Sequence, residues 1–235
     1  MSKGKLYIIP IQISESPLNR VLPDFNTAVV KNLRFFVVER TKTARQFLRK
    51  MDRDFPIDDS KFYEQDKHDN YSFHPEVIAA FKEGQDVGLM SESGYPAIAD
   101  PGNKVVAKAQ EMGVEVVPLV GPSSLLMALA ASGLNGQGFS FNGYLPVKDP
   151  DRSKQIKFYG DLVQKTGYSQ IFIETPYRNN NIFEDFTKQL SSGLKLCIAY
   201  DVSGSGEKIY TKSIAEWKKQ GFKFDKTPCV FILGR

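Results

Sequence analysis

The sequence is poor in sulfur and histidine and has no long apolar run. Its 235 residues include two cysteines, Cys197 and Cys229, and two histidines, His68 and His74. Both cysteines sit inside apolar runs (LKLCIAY and PCVFIL), so they read as buried free thiols and not as a disulfide framework. The histidines lie in a polar region, without a cysteine or further histidine at ligand spacing, which argues against zinc. No run approaches the ~18 apolar residues of a membrane span. The apolar part of MSKGKLYIIPIQ is too short for a signal peptide, so a cytoplasmic protein is expected. There is no G-x-S-x-G elbow, which argues against an α/β-hydrolase. The stretch GSGEK (204–208) lacks the G-x-x-x-x-G-K-[ST] frame and runs into IYT, so it reads as a hairpin turn and not as a phosphate loop.

What is present is a globular composition, 41% hydrophobic and 25% charged, sufficient for a real core. The net charge of +4 permits a nucleic-acid partner without requiring one. The length suits one large domain or two small ones.

Strand and helix signals alternate through the first half. KLYIIPI (5–11), LRFFVVER (33–40), DVGLM (86–90) and VEVVPLV (114–120) read as strands. KTARQFLRKM (42–51) has Ala44, Phe47, Leu48 and Met51 on one helical face. SFHPEVIAAFKEG (72–84) and NKVVAKAQEMG (103–113) are helices stopped by Gly84 and Gly113. This order predicts an α/β fold with a parallel sheet and helices on both faces. In the second half, GPSSLLMALAASG (121–133) is a helix with Pro122 in its first turn and Gly133 past its end. The strands GFSFNGYL, SQIFIETP, LKLCIAYDV, EKIYTKS and CVFILG follow, with helices DRSKQIKFYGDLVQK, NIFEDFTKQL and AEWKKQ among them. Some of these strands can pair antiparallel, giving a mixed sheet. The boundary is placed near Pro118, giving domains 1–118 and 119–235.

Three Gly/Pro-rich loops fall at strand ends: SESGYPAIADPG (91–102), VGPSS (120–124) and ETPYR (174–178). In open α/β sheets, ligands bind outside the carboxyl ends of the strands, and glycine lets a backbone come close to a ligand. The first loop is therefore either a ligand loop or an elaborate structural turn. Ser123 and Ser124 precede a helix whose first N–H groups are free, so they either cap that helix or bind a ligand.

The succession VGLMSESGYPAIADPG, VEVVPLVGPSSLLMALAASGL, FNGYLP and IFIETPYR resembles the tetrapyrrole methylase superfamily over nearly the whole chain. The nearest branch methylates a cytidine 2′-hydroxyl in 16S ribosomal RNA, and VVERTKTARQFL matches its E-D-T-R-x-[ST]-R-x-L-L region. The resemblance implies two α/β domains with S-adenosyl-L-methionine (SAM) in the cleft between them, and a homodimer. Carried over by motif position, Gly94, Tyr95, Pro96 and Ile98 form one cofactor wall, and Ser123 and Ser124 a second. Glu174 falls at a nucleoside contact, and Asp201, Val202 and Ser203 at the last contact. A ribose hydroxyl is a poor nucleophile and gains from a general base. The candidates are Glu92 first, then Asp100 and Glu39; alternatively Asp100 caps the next helix and Glu39 pairs with an arginine. Lys148, Arg152, Lys154 and Lys157 offer a strip for RNA phosphates, or a solvated helix face.

The chain also departs from that branch. Its first loop reads PIQISES where the branch has T-P-I-G-N, YDVSGSGEK replaces R-E-L-T-K-x-x-E-E, and Tyr95 replaces a threonine. Three readings follow: a ribosomal RNA methyltransferase acting on the small subunit, a SAM-dependent enzyme for a tetrapyrrole or other small molecule, or a degenerate SAM- or RNA-binding module.

Overall fold

The computed structural model describes residues 3–65, 73–100 and 102–235. His68 and the expected helix start at Ser72 lie outside them. The chain divides into two compact units, Met1–Ser123 and Ser124–Arg235.

The first unit runs β1 (Leu6–Ile8), α1 (Asp24–Val30), β2 (Phe35–Val38), α2 (Thr41–Met51), β3 (Lys61–Glu64), α3 (Pro75–Lys82), β4 (Val87–Met90), α4 (Gly102–Glu111) and β5 (Val116–Pro118). Its sheet has the order β3-β2-β4-β1-β5, and every pairing is parallel. Side chains alternate across the sheet. Phe36 and Val38 point to the face where Ala44, Phe47 and Leu48 of α2 pack. Val37, Val87 and Leu89 point to the other, against Val77, Ala80 and Phe81 of α3 and Val105 and Ala109 of α4. Helices thus cover both faces, as the alternating pattern predicts. Phe36 is wholly buried, stacked on Phe62 at 5.3 Å, a burial worth about 1.5–3 kcal/mol.

The strand order places a crevice. From β2 the chain moves outward to β3, and from β4 it moves the opposite way to β5, so the two connections leave adjacent strands in opposite directions. That is a topological switch point, where open α/β sheets bind ligands at the carboxyl ends of the strands. Val38 and Met90 are register partners in the last row of β2 and β4. Glu39 and Ser91 therefore leave the sheet side by side.

The second unit runs α5 (Ser124–Ser132), β6 (Phe139–Phe141), α6 (Asp151–Thr166), β7 (Ser169–Glu174), α7 (Asn179–Gln189), β8 (Lys195–Tyr200), β9 (Lys208–Ser213), α8 (Ile214–Gln220) and β10 (Cys229–Gly234). The sheet order is β6-β7-β10-β8-β9. β6 and β7 are parallel; the remaining pairs are antiparallel, which makes the mixed sheet the sequence predicts. GSGEK lies in the hairpin connection between β8 and β9. One face packs on Leu125, Ala128 and Leu129 of α5. The other carries an aromatic core that includes Phe172, Phe183, Phe186, Trp217, Phe224 and Phe231.

Both cysteines are buried free thiols. Burial pushes the Cys197 thiol up to about 11 and also raises that of Cys229. His74 caps α3, its Nδ1 accepting the Glu76 N–H at 3.3 Å, and among the described residues no cluster could hold a metal ion. No described helix is long and apolar enough to cross a membrane. Two elements go beyond the sequence reading. The strand KFYE (β3) is an edge strand with no fully buried residue, so it carries no apolar run. The helix DFNTAVV (α1) buries only Asn26 and Val30.

Candidate active site

Three loops of the first unit, those following β1, β4 and β5, are tied together. The Ile11 N–H donates to the Gly94 carbonyl at 2.9 Å, and Ser93 Oγ donates to the Ile13 carbonyl at 3.3 Å. Gly121 is pressed on Pro10, where a Cβ would lie 2.1 Å from the ring, so no larger residue fits. Gly94 has φ +68°, a left-handed conformation that a β-branched residue does not tolerate. Ala97 and Ala99 also take positive φ, 66° and 63°. Strain of this kind costs about 1–3 kcal/mol per residue and concentrates at functional sites. The loop 91–100 is thus bent at three places. It exposes Ile98, half-buries Tyr95 and buries Pro96. Burial raises the Tyr95 phenol.

The three acidic candidates converge at the switch point. Glu39 Oε2 accepts the Glu92 N–H at 3.1 Å. Glu92 Oε2 lies 3.6 Å from Arg40 Nε, while its Oε1 is buried with no hydrogen-bond partner. Asp100 is committed to the backbone: its oxygens accept the Ala97 N–H at 2.9 and 3.0 Å and the Gly102 N–H at 2.7 Å. Burial raises the Asp100 carboxyl, the two backbone N–H donors oppose that, and the nearby charge of Glu39 adds to it. Asp100 is therefore the loop's staple, while Glu92 keeps a buried oxygen, Oε1, without a hydrogen-bond partner.

Glu92 borders a cavity of about 410 Å³ lined by residues 11–15 and by Thr43, Gln46, Phe47 and Lys50 of α2. That volume falls within the ~300–1,000 Å³ of small-ligand sites. Gln12 contributes a second buried acceptor without a partner, its Oε1. The amide is oriented by its other end, since Nε2 donates to Glu15 Oε2 at 3.1 Å. Lys50 Nζ donates to the other Glu15 oxygen at 2.6 Å. Gln12 and Lys50 were not among the sequence candidates. The cavity joins segments far apart in the chain, and the only sequence signal was that the first loop has a polar residue where a glycine was expected.

Ser123 ends the first unit and Ser124 opens α5, both half-buried. In the second unit, Glu174 and Tyr200 both pair with Cys229 of β10, so Glu174 and residues 201–203 leave the sheet at the same end. Glu174 is buried: Oε1 accepts the Thr175 N–H at 2.9 Å, and Oε2 stands 3.2 Å from Arg178 Nη2, an ion pair without hydrogen-bond alignment. Arg178 Nη2 also donates to the Pro146 carbonyl at 3.1 Å. Asp201 and Ser203 take positive φ, 50° and 67°. Asp201 Oδ2 accepts the Gly206 N–H at 2.8 Å, and Glu207 accepts that of Ser203 at 2.6 Å. Val202 belongs to the core under α5. Arg152 turns inward, with Nε donating to Asp185 at 2.6 Å and Nη1 to the Val147 carbonyl at 2.6 Å. Of the basic strip at the start of α6, that leaves Lys148, just before the helix, and Lys154 and Lys157 on it exposed.

The residues of the first unit suit a ligand that carries a positive charge. Glu39, Glu92 and Asp100 crowd one strand end, with Arg40 the cation paired there, and two of them face or support a bent, open backbone.

A family model described as tetrapyrrole (corrin/porphyrin) methylases matches residues 27–218. Ribosomal RNA small subunit methyltransferase I of Escherichia coli O157:H7 is 28% identical over 238 residues, covering 99% of this chain and 78% of that protein. The protein of the same name from Pseudomonas aeruginosa is 27% identical over 236 residues, covering 99% and 79%. Among solved structures, the methyltransferase CobJ superposes with a TM-score of 0.63 at 15% identity, covering 99% of this chain and 94% of that one. Uroporphyrin III C-methyl transferase from Thermus thermophilus gives 0.59 at 14% identity, covering 99% and 98%. At those identities the two structures show a shared fold.

Proposed function

The chain belongs to the tetrapyrrole (corrin/porphyrin) methylase family, a family of methyltransferases, and on that premise we propose that it transfers a methyl group from SAM to a ribose 2′-hydroxyl of small-subunit ribosomal RNA. The observation that carries this reading is the loop 91–100, bent at Gly94, Ala97 and Ala99 and bordered by carboxylates at the switch point. The curated relatives, similar over 99% of the chain, support ribosomal RNA as the acceptor. We place the protein in the cytoplasm, as a homodimer.

Gly94, Tyr95, Pro96 and Ile98 form the cofactor wall in the first unit, with Ser123 at its end. Ser124, Glu174, Asp201, Val202 and Ser203 are the contacts proposed in the second. Bound SAM supplies an electrophilic methyl group on a sulfonium. Glu92 Oε1 would take the proton that the ribose 2′-oxygen loses on methylation, while the sulfonium sulfur would keep the electrons of the broken S–CH3 bond and leave as a neutral thioether. Glu39 holds the Glu92 backbone, and Asp100 holds the bend. Positioning of this kind can supply roughly 7–11 kcal/mol of barrier reduction.

Two measurements test the reading. Calorimetric titration of SAM is expected to show micromolar binding. Labelled methyl transfer is expected to reach unmethylated small ribosomal subunits. Label appearing on a porphyrinoid in place of RNA would move the activity to a small molecule. SAM or RNA binding with no acceptor labelled would make the chain a binding module.

A further inference from the structure

The densest run of basic residues in the sequence covers α2. Residues 40–53 hold six basic side chains and one acidic one, Asp52, so this segment alone exceeds the net +4 of the whole chain. Lys42, Arg45 and Arg49 are all exposed and follow one another at i, i+3 and i+7, which puts them on one face. The positions Thr43, Gln46, Phe47 and Lys50 of the same helix line the cavity beside Glu92. The helix is held in place from outside: Glu64 Oε1 accepts the Thr41 N–H at 2.6 Å, and Arg45 lies over the Phe62 ring at 5.8 Å. The ion pair of Arg45 with Asp58, at 3.5 Å, is at the surface and open to exchange for a stronger anion.

Resting on the function proposed above, we infer that α2 is the docking track for the acceptor RNA. Lys42, Arg45 and Arg49 span about 10 Å of helix, the axial length of about three phosphates of one strand. The acceptor nucleotide turns off this track into the cavity, where its ribose hydroxyls donate to Glu92 Oε1 and Gln12 Oε1. Two buried acceptors without partners call for a ligand that brings donors, and a ribose does. Entry into a cavity requires an unpaired nucleotide, as in sequence-specific RNA recognition generally. The track therefore fits a single-stranded segment.

The test is fluorescence anisotropy of a labelled, unstructured single-stranded RNA as salt is raised. The variant Lys42→Ala, Arg45→Ala, Arg49→Ala is compared with Lys148→Ala, Lys154→Ala, Lys157→Ala. The first is expected to weaken binding at least tenfold and to flatten the log–log salt slope by about 2, at roughly 0.7 per phosphate contact. The charge-keeping exchange Lys42→Arg, Arg45→Lys, Arg49→Lys retains the slope. Near-ultraviolet circular dichroism and SAM calorimetry on each variant report the fold and the cofactor site separately. If the wild type binds SAM and the α2 variant keeps the wild-type salt slope, the track is wrong while the methyltransferase reading stands. The same conclusion holds if only the α6 variant changes, or if the wild type binds SAM but not the RNA. Loss of SAM binding by the wild type counts against the methyltransferase reading itself.

Discussion

Residues 91–100 follow β4, residues 201–207 follow β8, and the two loops share a plan. Each bends through non-glycine residues at positive φ, Ala97 and Ala99 in one and Asp201 and Ser203 in the other. Each is stapled by an aspartate that accepts backbone N–H groups. They differ in what the bend leaves open. The later loop closes on itself: a Cβ on Gly204 would stand 2.2 Å from Asp201 Oδ1, Val202 is in the core, and Ser203, whose Oγ also lacks a partner, is sealed at 1% exposure. In the earlier loop Glu92 borders a cavity and keeps a buried oxygen without a hydrogen-bond partner. Backbone strain is therefore common to both, and an unmet acceptor beside open space belongs to the first alone. That combination, and not strain by itself, marks the place for a reacting group.

The strongest way to break this contrast is Glu92→Gln. Loss of a general base lowers turnover roughly 10²–10⁴-fold, with SAM affinity unchanged by calorimetry. Full single-turnover rates in that variant would remove Glu92 from the chemistry. Next is Gly94→Val, where a β-branched residue is forced to positive φ; SAM affinity is expected to fall about a hundredfold, some 3 kcal/mol, the upper part of the range for such strain. Unaltered titration curves would detach the loop from the cofactor. Asp100→Ala leaves two loop N–H groups without their acceptor and is expected to cost about 1–3 kcal/mol in urea unfolding, with a parallel loss of SAM affinity. Asp201→Ala, losing one such bond, should cost about 1 kcal/mol. As a proposed cofactor contact, Asp201 should also weaken SAM binding when replaced; methyl transfer lost in Asp201→Ala with SAM affinity and stability intact would put the reacting group at the second loop and overturn the contrast.

The smallest effect concerns pH. Burial raises the Asp100 carboxyl on folding, against the N–H bonds it accepts. The folded state then holds this proton more tightly than the unfolded state. Its contribution makes stability fall as the pH rises from the ordinary value of 3.8 to the raised one. Asp100→Asn removes that slope, so the difference between wild-type and variant unfolding free energies should change across this window and be flat above it.

Much of the fold was legible because burial is periodic. Ala44, Phe47 and Leu48 announce α2, and Gly84, Gly113 and Gly133 stop helices where the chain does turn left-handed. KFYE gave no sign because an exposed edge strand needs no apolar face. The loop at 91–102 stood out from its glycines and prolines. The division of labour among its carboxylates did not, because it is set by the folded loop, which brings two backbone N–H groups to Asp100 and Arg40 to Glu92. Arg152 looked like its lysine neighbours, yet it folds inward because Asp185, 33 residues on, stands within reach. Gln12 and the cavity exist only once β1, β4 and α2 are assembled.

The position of β1 has a consequence for synthesis. It is the first strand of its unit to be made, yet it lies between β4 and β5. Its nearest partner in sequence is about 80 residues further on, roughly 4–16 s later at about 5–20 residues per second on the ribosome. The second unit has the reverse order, with β10, its last strand, between β7 and β8. A nascent first unit closes around its oldest strand and a nascent second unit around its youngest. In the first unit one early strand waits for its neighbours; in the second, two neighbours wait as open pairing edges for a strand not yet made.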